Sequence, residues 1–199
     1  MHDERLAEFS RERLDGRPLP EDLRTLLVAQ WEGRTDFLHL LDLDFFETGE
    51  VHPLLDTSYL RPEELADPEL QSVNAAAAEM ARHVKLVAKG GKGWLGYWLH
   101  PDEPADPAAW RLVELDTEFS FWSLSGRTLT EGVAAERAHY RDEPDERAAF
   151  AQLADEVAAL GMPLTTRDYD SLDETEYTVD PAQLMDALID AERAKRGLG

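Results

Sequence analysis

The sequence predicts an α+β domain: a mostly antiparallel, twisted sheet of four to six strands with helices packed around it. Two apolar runs, 84–88 and 94–99, are joined by a glycine-rich link, which is the pattern of a β-hairpin. Two further apolar runs follow after short links, and strands joined in this way are usually antiparallel neighbours. Segments of helical periodicity lie on both sides of these runs, so we expect helices to surround the sheet.

The four strands are expected near 84–89, 94–100, 111–116 and 119–124. Residue alternation in the first strand places three apolar side chains on one face and two side chains on the other. The first face carries Val84, Leu86 and Ala88, and the second carries Lys85 and Val87.

The aromatic residues of these strands are expected to form a sheet core, with helices packed on one face. The alternative is that one or two rings are exposed and bind a partner. Trp94, directly after the hairpin turn, is the best candidate for such an exposed anchor.

Three helices are expected around the strands. The first begins at Pro20, which is followed by two acids that suit a first turn, and ends near Gly33. The second is the alanine-rich segment 70–83. The third follows the last strand, because Thr128 and Glu131 have the spacing of a capping box.

A fourth helix is expected at the C-terminal end, over about 181–195. Asp180 and Pro181 form its start signal, and Gly197 follows its last turn. Its apolar positions should be buried against the rest of the domain, namely Leu184, Leu188 and Ile189.

Several motifs occur in a characteristic order. They are Leu19-Pro20-Glu21-Asp22-Leu23 with a following Gly33, Asp56-x-x-Tyr59-Leu60-x-Pro62-Glu63-Glu64-Leu65, a helix, the glycine-rich hairpin, a valine-rich strand and a capped helix. In this order they resemble the SUKH superfamily, named for fungal cell-wall-synthesis regulators of the Smi/Knr type. Many of its bacterial members look like immunity proteins that neutralise polymorphic toxins.

The resemblance covers a core of about 14–140 and implies a SUKH-like domain that binds a toxin without catalysis. The hairpin departs from the family pattern, since many relatives have a more acidic turn where this chain has Gly91-Lys92-Gly93 and then Trp94. Residues 141–199 are not covered by the resemblance. We interpret them as an acidic and helical extension of a single domain that spans 1–199.

Composition and charge restrict the function independently. The chain has 199 residues, enough for one domain with a core, and no cysteine, which excludes disulfides and cysteine-ligated zinc. There is no apolar run of membrane-spanning length and no signal-peptide pattern, so we expect a cytoplasmic protein. A net charge of −22 repels nucleic acids and anionic membranes and attracts basic proteins. Solubility or a saline cytoplasm would also explain it, and the oligomeric state stays open.

The acidic residues are concentrated near the C-terminus. From 142 to 180 there are 12 acids and only two bases. We interpret part of this stretch as a binding surface for a basic protein, since carboxylates steer association and aromatic rings supply contact area. The alternative is a solvated loop. The residues assigned to this surface are Asp168, Tyr169, Asp170, Asp173, Glu174 and Glu176.

No motif of catalysis, metal binding or cofactor binding is recognisable, so the sequence predicts a protein that is not an enzyme. Lys92 lies in a glycine-rich link, but the spacing and the hydroxyl of a phosphate-binding loop are missing. His39, Asp42 and Asp44 could offer metal ligands, but their apolar neighbours favour a core segment. The alternative function is a hydrolase or small-ligand protein with a cleft lined by carboxylates and His39 or His52. A third, weaker alternative is a scaffold or regulator.

Overall fold

One antiparallel sheet organises the computed structural model, which describes residues 2–34, 36–140, 145–162 and 164–198. The strands lie side by side in chain order, so the sheet is a meander with β1 and β5 at its edges. The α+β class is therefore confirmed. The strands are β1 (Leu43–Phe45), β2 (Val84–Gly90), β3 (Gly93–Trp98), β4 (Arg111–Asp116) and β5 (Phe121–Ser123).

In the described part of the chain, eight helices surround the sheet. They are α1 (Asp3–Arg13), α2 (Glu21–Trp31), α3 (Phe37–Leu41), α4 (Pro62–Leu65), α5 (Pro68–Met80), α6 (Leu129–Tyr140), α7 (Glu146–Ala159) and α8 (Pro181–Lys195). The predicted helices correspond to α2, α5, α6 and α8. The acidic stretch 142–180 begins outside the described part of the chain, because residues 141–144 are not described.

The hairpin of β2 and β3 contains a bulge that overturns the predicted faces of β2. The register shifts between Leu86 and Ala88, so the alternation of side chains is interrupted there. Val84 and Leu86 pack on one face, whereas Val87 and Ala88 both belong to the core on the other face. The prediction that Ala88 shares a face with Val84 was wrong, because alternation alone does not reveal a bulge.

The last strand is shorter than predicted, because a turn takes up its first residues. The Asp116 carboxylate accepts hydrogen bonds from the backbone N–H groups of Glu118 (2.9 Å) and Ser120 (2.8 Å). Phe119 then adopts a positive φ of 64°. A side chain that captures backbone donors in this way favours a turn over a strand.

Both faces of the sheet are covered, which corrects the expectation that helices pack on one face. The first core lies between the sheet and helices that include α2, α6 and α7, and it contains Tyr97 and Phe150. The second core lies on the opposite face, where α5 and α8 pack, and it contains Trp98 and Met80. The aromatic strand β3 supplies both cores, with Leu95 and Tyr97 in the first and Trp98 in the second.

The C-terminal third contributes to both cores. Helix α7 buries Phe150, Leu153 and Val157 completely in the first core. Helix α8 packs Leu184 and Leu188 against the second core, where they are half-buried, so its predicted docking is confirmed in part. Ile189 is also half-buried. No helix of the described residues is long and apolar enough to cross a membrane.

Candidate functional site

Between α7 and α8 the chain runs along the edge of the sheet in a segment that we call the strap, residues 164–180. In the loop between β5 and α6, the backbone N–H of Gly126 donates to the carbonyl of Asp173 of the strap at 2.7 Å. The Tyr177 hydroxyl then donates to the carbonyl of Leu112 at 2.7 Å. At its end, the indole N–H of Trp98 donates to the carbonyl of Val179 at 2.9 Å. The strap is therefore fixed to the sheet at several points along its length.

Two buried carboxylates of the core hold the two ends of the strap. Glu131, on the first turn of α6, is 0% exposed and accepts hydrogen bonds from the backbone N–H and the hydroxyl of Thr165. Glu103 is also buried, and its carboxylate accepts from the N–H groups of Thr178 (2.5 Å) and Val179 (3.0 Å). Charge-assisted hydrogen bonds of this kind are stronger than neutral ones, so the strap has a defined conformation.

The five predicted acidic residues of the strap are all exposed, but two of them are paired within the chain. The Oδ2 atom of Asp170 lies 2.5 Å from the Nε atom of Arg147, and the Oδ2 atom of Asp173 lies 2.5 Å from the Nε atom of Arg127. The Asp168 side chain accepts a backbone hydrogen bond within its own turn. No salt bridge to Asp168, Glu174 or Glu176 is present among the described residues.

The two predicted aromatic anchors, Tyr169 and Trp94, pack against the cores of the domain. Tyr169 is half-buried and packs edge-on against Phe150 of the first core, with ring centroids 5.7 Å apart. Trp94 is half-buried against the second core and lies 6.1 Å from the ring of Phe119. Neither ring is positioned as a fully exposed contact residue.

A different aromatic residue, Trp122, is exposed next to the strap. It lies on edge strand β5 and is 56% exposed, and its indole N–H donates to the Asp116 carboxylate at 2.9 Å. A shallow groove of about 540 Å³ runs beside it and is also lined by Glu176 and Asp180 of the strap. An exposed tryptophan among carboxylates is suited to contact with a cationic partner.

The predicted metal candidates do not converge. His39 and Asp44 are exposed, and Asp42 ends α3 in a left-handed conformation with φ of 55°. The described residues hold no group of three or more histidine, aspartate or glutamate side chains placed to bind a metal ion.

Both ring nitrogens of His52 contact backbone groups within the fold. Its Nε2 atom lies 3.0 Å from the carbonyl oxygen of Val84, and its Nδ1 atom accepts from the N–H of Leu54 at 3.2 Å. Burial lowers the pKa of His52 to about 4, so the ring is neutral at pH 7.

A second group of ionisable residues surrounds the hairpin turn. The buried Glu114 carboxylate accepts from the N–H of Lys92 at 3.1 Å, and Glu136 of α6 lies close to the same turn. Burial raises the pKa of Glu114 and of Glu136, and the charge of Glu136 raises that of Glu114 further. A small cavity of about 200 Å³ lies beside them and is lined in part by Leu41 and Val133.

Sequence reasoning missed the residues that position the strap. The sequence pointed to Glu131 only through its spacing from Thr128. In the structure its carboxylate accepts hydrogen bonds from the N–H of Arg127 at 2.8 Å and from the N–H of Thr165. Glu103 lies in a proline-rich link with no local signal, and its partners are more than 70 residues away along the chain.

In comparisons with protein-family models, curated proteins and solved structures, nothing matched this chain. The resemblance to the SUKH superfamily therefore stays a prediction, carried by the order of the motifs.

Proposed function

We propose that this chain is a non-catalytic binding protein of the immunity type, which acts in the cytoplasm by holding a basic toxin domain against its strap. The observation that carries this proposal is the contrast within the strap. Its backbone is fixed by Glu103 and Glu131, while three of its carboxylates, on Asp168, Glu174 and Glu176, face solvent without a salt bridge among the described residues. Because the backbone that carries these carboxylates is already fixed, it loses little conformational freedom on binding.

The electrostatics favour a cationic protein over other partners. A net charge of −22 opposes binding to nucleic acids and anionic lipids, and it accelerates encounter with a basic surface. If the toxin is a nuclease, the natural target is its nucleic-acid groove, since the strap carboxylates would take the place of phosphate groups. Trp122 would then anchor the complex at the end of the groove beside the strap.

The test compares two variants that carry the same change in charge. The first, Asp168→Asn/Glu174→Gln/Glu176→Gln, neutralises the free strap acids. The control, Glu4→Gln/Glu47→Gln/Glu63→Gln, neutralises exposed acids of α1, α4 and the loop after β1. The first candidate partner is the protein encoded beside this chain, and its association rate is measured by stopped flow over a series of salt concentrations.

We expect the strap variant to associate on the order of tenfold more slowly at low salt, with a weaker dependence on salt. The control should change the rate by about twofold or less. Trp122→Ala should act mainly on dissociation, as the loss of an anchor does. Equal rates for the strap variant and the control would contradict the assignment of the strap as the binding surface.

A hydrolase is the second candidate function, and the hairpin turn supplies its supporting observation. Glu114 and Glu136 are carboxylates with raised pKa values beside Lys92, and paired carboxylates of this kind can serve as general acid and base. Chromogenic esters, phosphoesters and glycosides are the substrates to test. Turnover by the wild type that is lost in Glu136→Gln would favour the hydrolase over the binding protein.

A further inference from the structure

A cavity of about 410 Å³ lies between the start of α2, the loop before β4 and the start of α6. Its walls are largely apolar and include Pro20, Pro107 and the buried ring of Trp110. It lies on the first-core face of the sheet, away from the groove beside Trp122. A cavity of this size and lining is suited to a small organic group.

The hydroxyl of Tyr97 is the most unusual feature of this cavity. Tyr97 lines the cavity and is only 2% exposed, and its hydroxyl oxygen is buried without a hydrogen-bond partner among the described residues. Its ring is held edge-on to Trp110 at a centroid distance of 5.4 Å. Buried hydroxyls nearly always have a partner, so a group from outside the described chain would complete this one.

The charge around the cavity is negative. The half-buried Asp22 lines it, and its carboxylate accepts hydrogen bonds from the N–H (3.2 Å) and hydroxyl (3.4 Å) of Thr130 at the start of α6. Glu21 and Asp106 add two more carboxylates to the lining. Among the described lining residues the one base is Arg127, and its Nε atom is already paired with Asp173 at 2.5 Å.

We propose that this cavity binds an organic cation, an alkylammonium or guanidinium group. Its N–H groups donate to the free oxygen of Tyr97 and to the Asp22 carboxylate, and its alkyl chain packs against Pro107 and Trp110. The cation is supplied either by a free amine or by a lysine or arginine side chain of a basic protein. Only the second source rests on the proposed function.

The test is a calorimetric titration with agmatine and with n-butylammonium, using n-butanol as the neutral control. We expect saturable binding of one cation per chain and no measurable binding of butanol. Tyr97→Phe removes only the hydroxyl, and we expect it to weaken cation binding on the order of tenfold, the effect of one hydrogen bond. Asp22→Asn should weaken it at least as much, whereas Glu63→Gln, which neutralises an exposed acid of α4 outside the cavity, should leave it unchanged.

The capped tripeptides acetyl-Gly-Lys-Gly-amide and acetyl-Gly-Arg-Gly-amide distinguish the two sources. Binding of a tripeptide as tight as that of the free amines would identify a protein side chain as the ligand, and binding of the amines alone would identify a small metabolite. The proposal is overturned if no cation binds saturably, if butanol binds equally well, or if Tyr97→Phe binds agmatine like the wild type. If Asp22→Asn does not fold, Tyr97→Phe still decides the result. A strap that fails to bind a basic protein would leave these titrations unaffected.

Discussion

The ionisable groups inside this fold and those on the strap perform different tasks. Glu103 and Glu131 are buried, and each holds a strap backbone by accepting several hydrogen bonds. Asp168, Glu174 and Glu176 are exposed on the strap, and no base of the described chain neutralises them. The buried acids therefore determine the conformation of the segment on which the exposed acids are displayed.

The acidic residues behind the net charge of −22 therefore have more than one role. Replacing a buried acid removes hydrogen bonds that cannot be replaced by water, whereas replacing an exposed acid leaves the backbone contacts intact. Stability and partner binding should consequently respond to different carboxylates. The predictions below test this separation, from the largest expected effect to the smallest.

Removal of α8 should have the largest effect, because this helix follows the strap and covers the second core. Truncation after Asp180 removes the half-buried side chains of Leu184, Met185 and Leu188 from that core. We expect a loss of about 4 kcal/mol in the free energy of unfolding, measured by urea denaturation. Truncation after Arg196, which removes only three residues, is the control and should change stability by less than about 0.5 kcal/mol. Equal stability of both truncated chains would show that α8 does not protect the core.

Glu131→Ala should be the most destabilising substitution in the strap anchors. It leaves the backbone N–H groups of Thr165 and Arg127 without their acceptor and opens space beside α6. We expect a loss of about 3 kcal/mol, measured by urea denaturation. Glu174→Ala, an exposed strap acid, is the matched control and should stay within about 0.5 kcal/mol of the wild type. A similar loss in both variants would remove the distinction between buried and exposed acids.

The sequence predicted the local parts of this architecture and missed those that depend on distant contacts. The hairpin, the strand 111–116 and the terminal helix follow from glycines, alternation and capping residues, and all were found. Strand β1 was not predicted, because Leu43–Phe45 is too short to show alternation before it pairs with β2. The exposure of Trp122 was also not predictable, since its neighbours in the strap lie more than 50 residues away.

His52 makes the stability of the core depend on pH. Its folded pKa of about 4 lies below the unfolded value of about 6.5, so the folded state favours the neutral ring. The resulting stability is fully present above about pH 6.5 and is lost as the pH falls towards 4, by about 3 kcal/mol in total. In His52→Gln, unfolding free energies from pH 7 to 4 should fall less steeply than in the wild type. Parallel curves would show that His52 is not the responsible group.

Tyr97→Phe should stabilise the chain in the absence of any ligand. The hydroxyl is buried without a partner among the described residues, so its removal eliminates an unfavourable desolvation while the ring keeps its contact with Trp110. We expect a gain of about 1 kcal/mol in the free energy of unfolding. Tyr177→Phe is the control with the opposite expected sign. The Tyr177 hydroxyl donates to the carbonyl of Leu112 at 2.7 Å, so its removal should lower the free energy of unfolding. A loss of stability in Tyr97→Phe would mean that its hydroxyl is satisfied in the free protein.

The smallest effect is expected for the strap variant Asp168→Asn/Glu174→Gln/Glu176→Gln. These side chains are exposed and make no salt bridge among the described residues, and asparagine retains the turn hydrogen bond of Asp168. Stability should change by less than about 0.5 kcal/mol, with a slight gain at low salt because repulsion between the carboxylates is relieved. Unfolding in urea at low and at high salt measures both the overall change in stability and the gain at low salt. A loss above about 1 kcal/mol would show that these acids help to hold the strap, and slower binding by this variant would then reflect a changed surface as well as a lost charge.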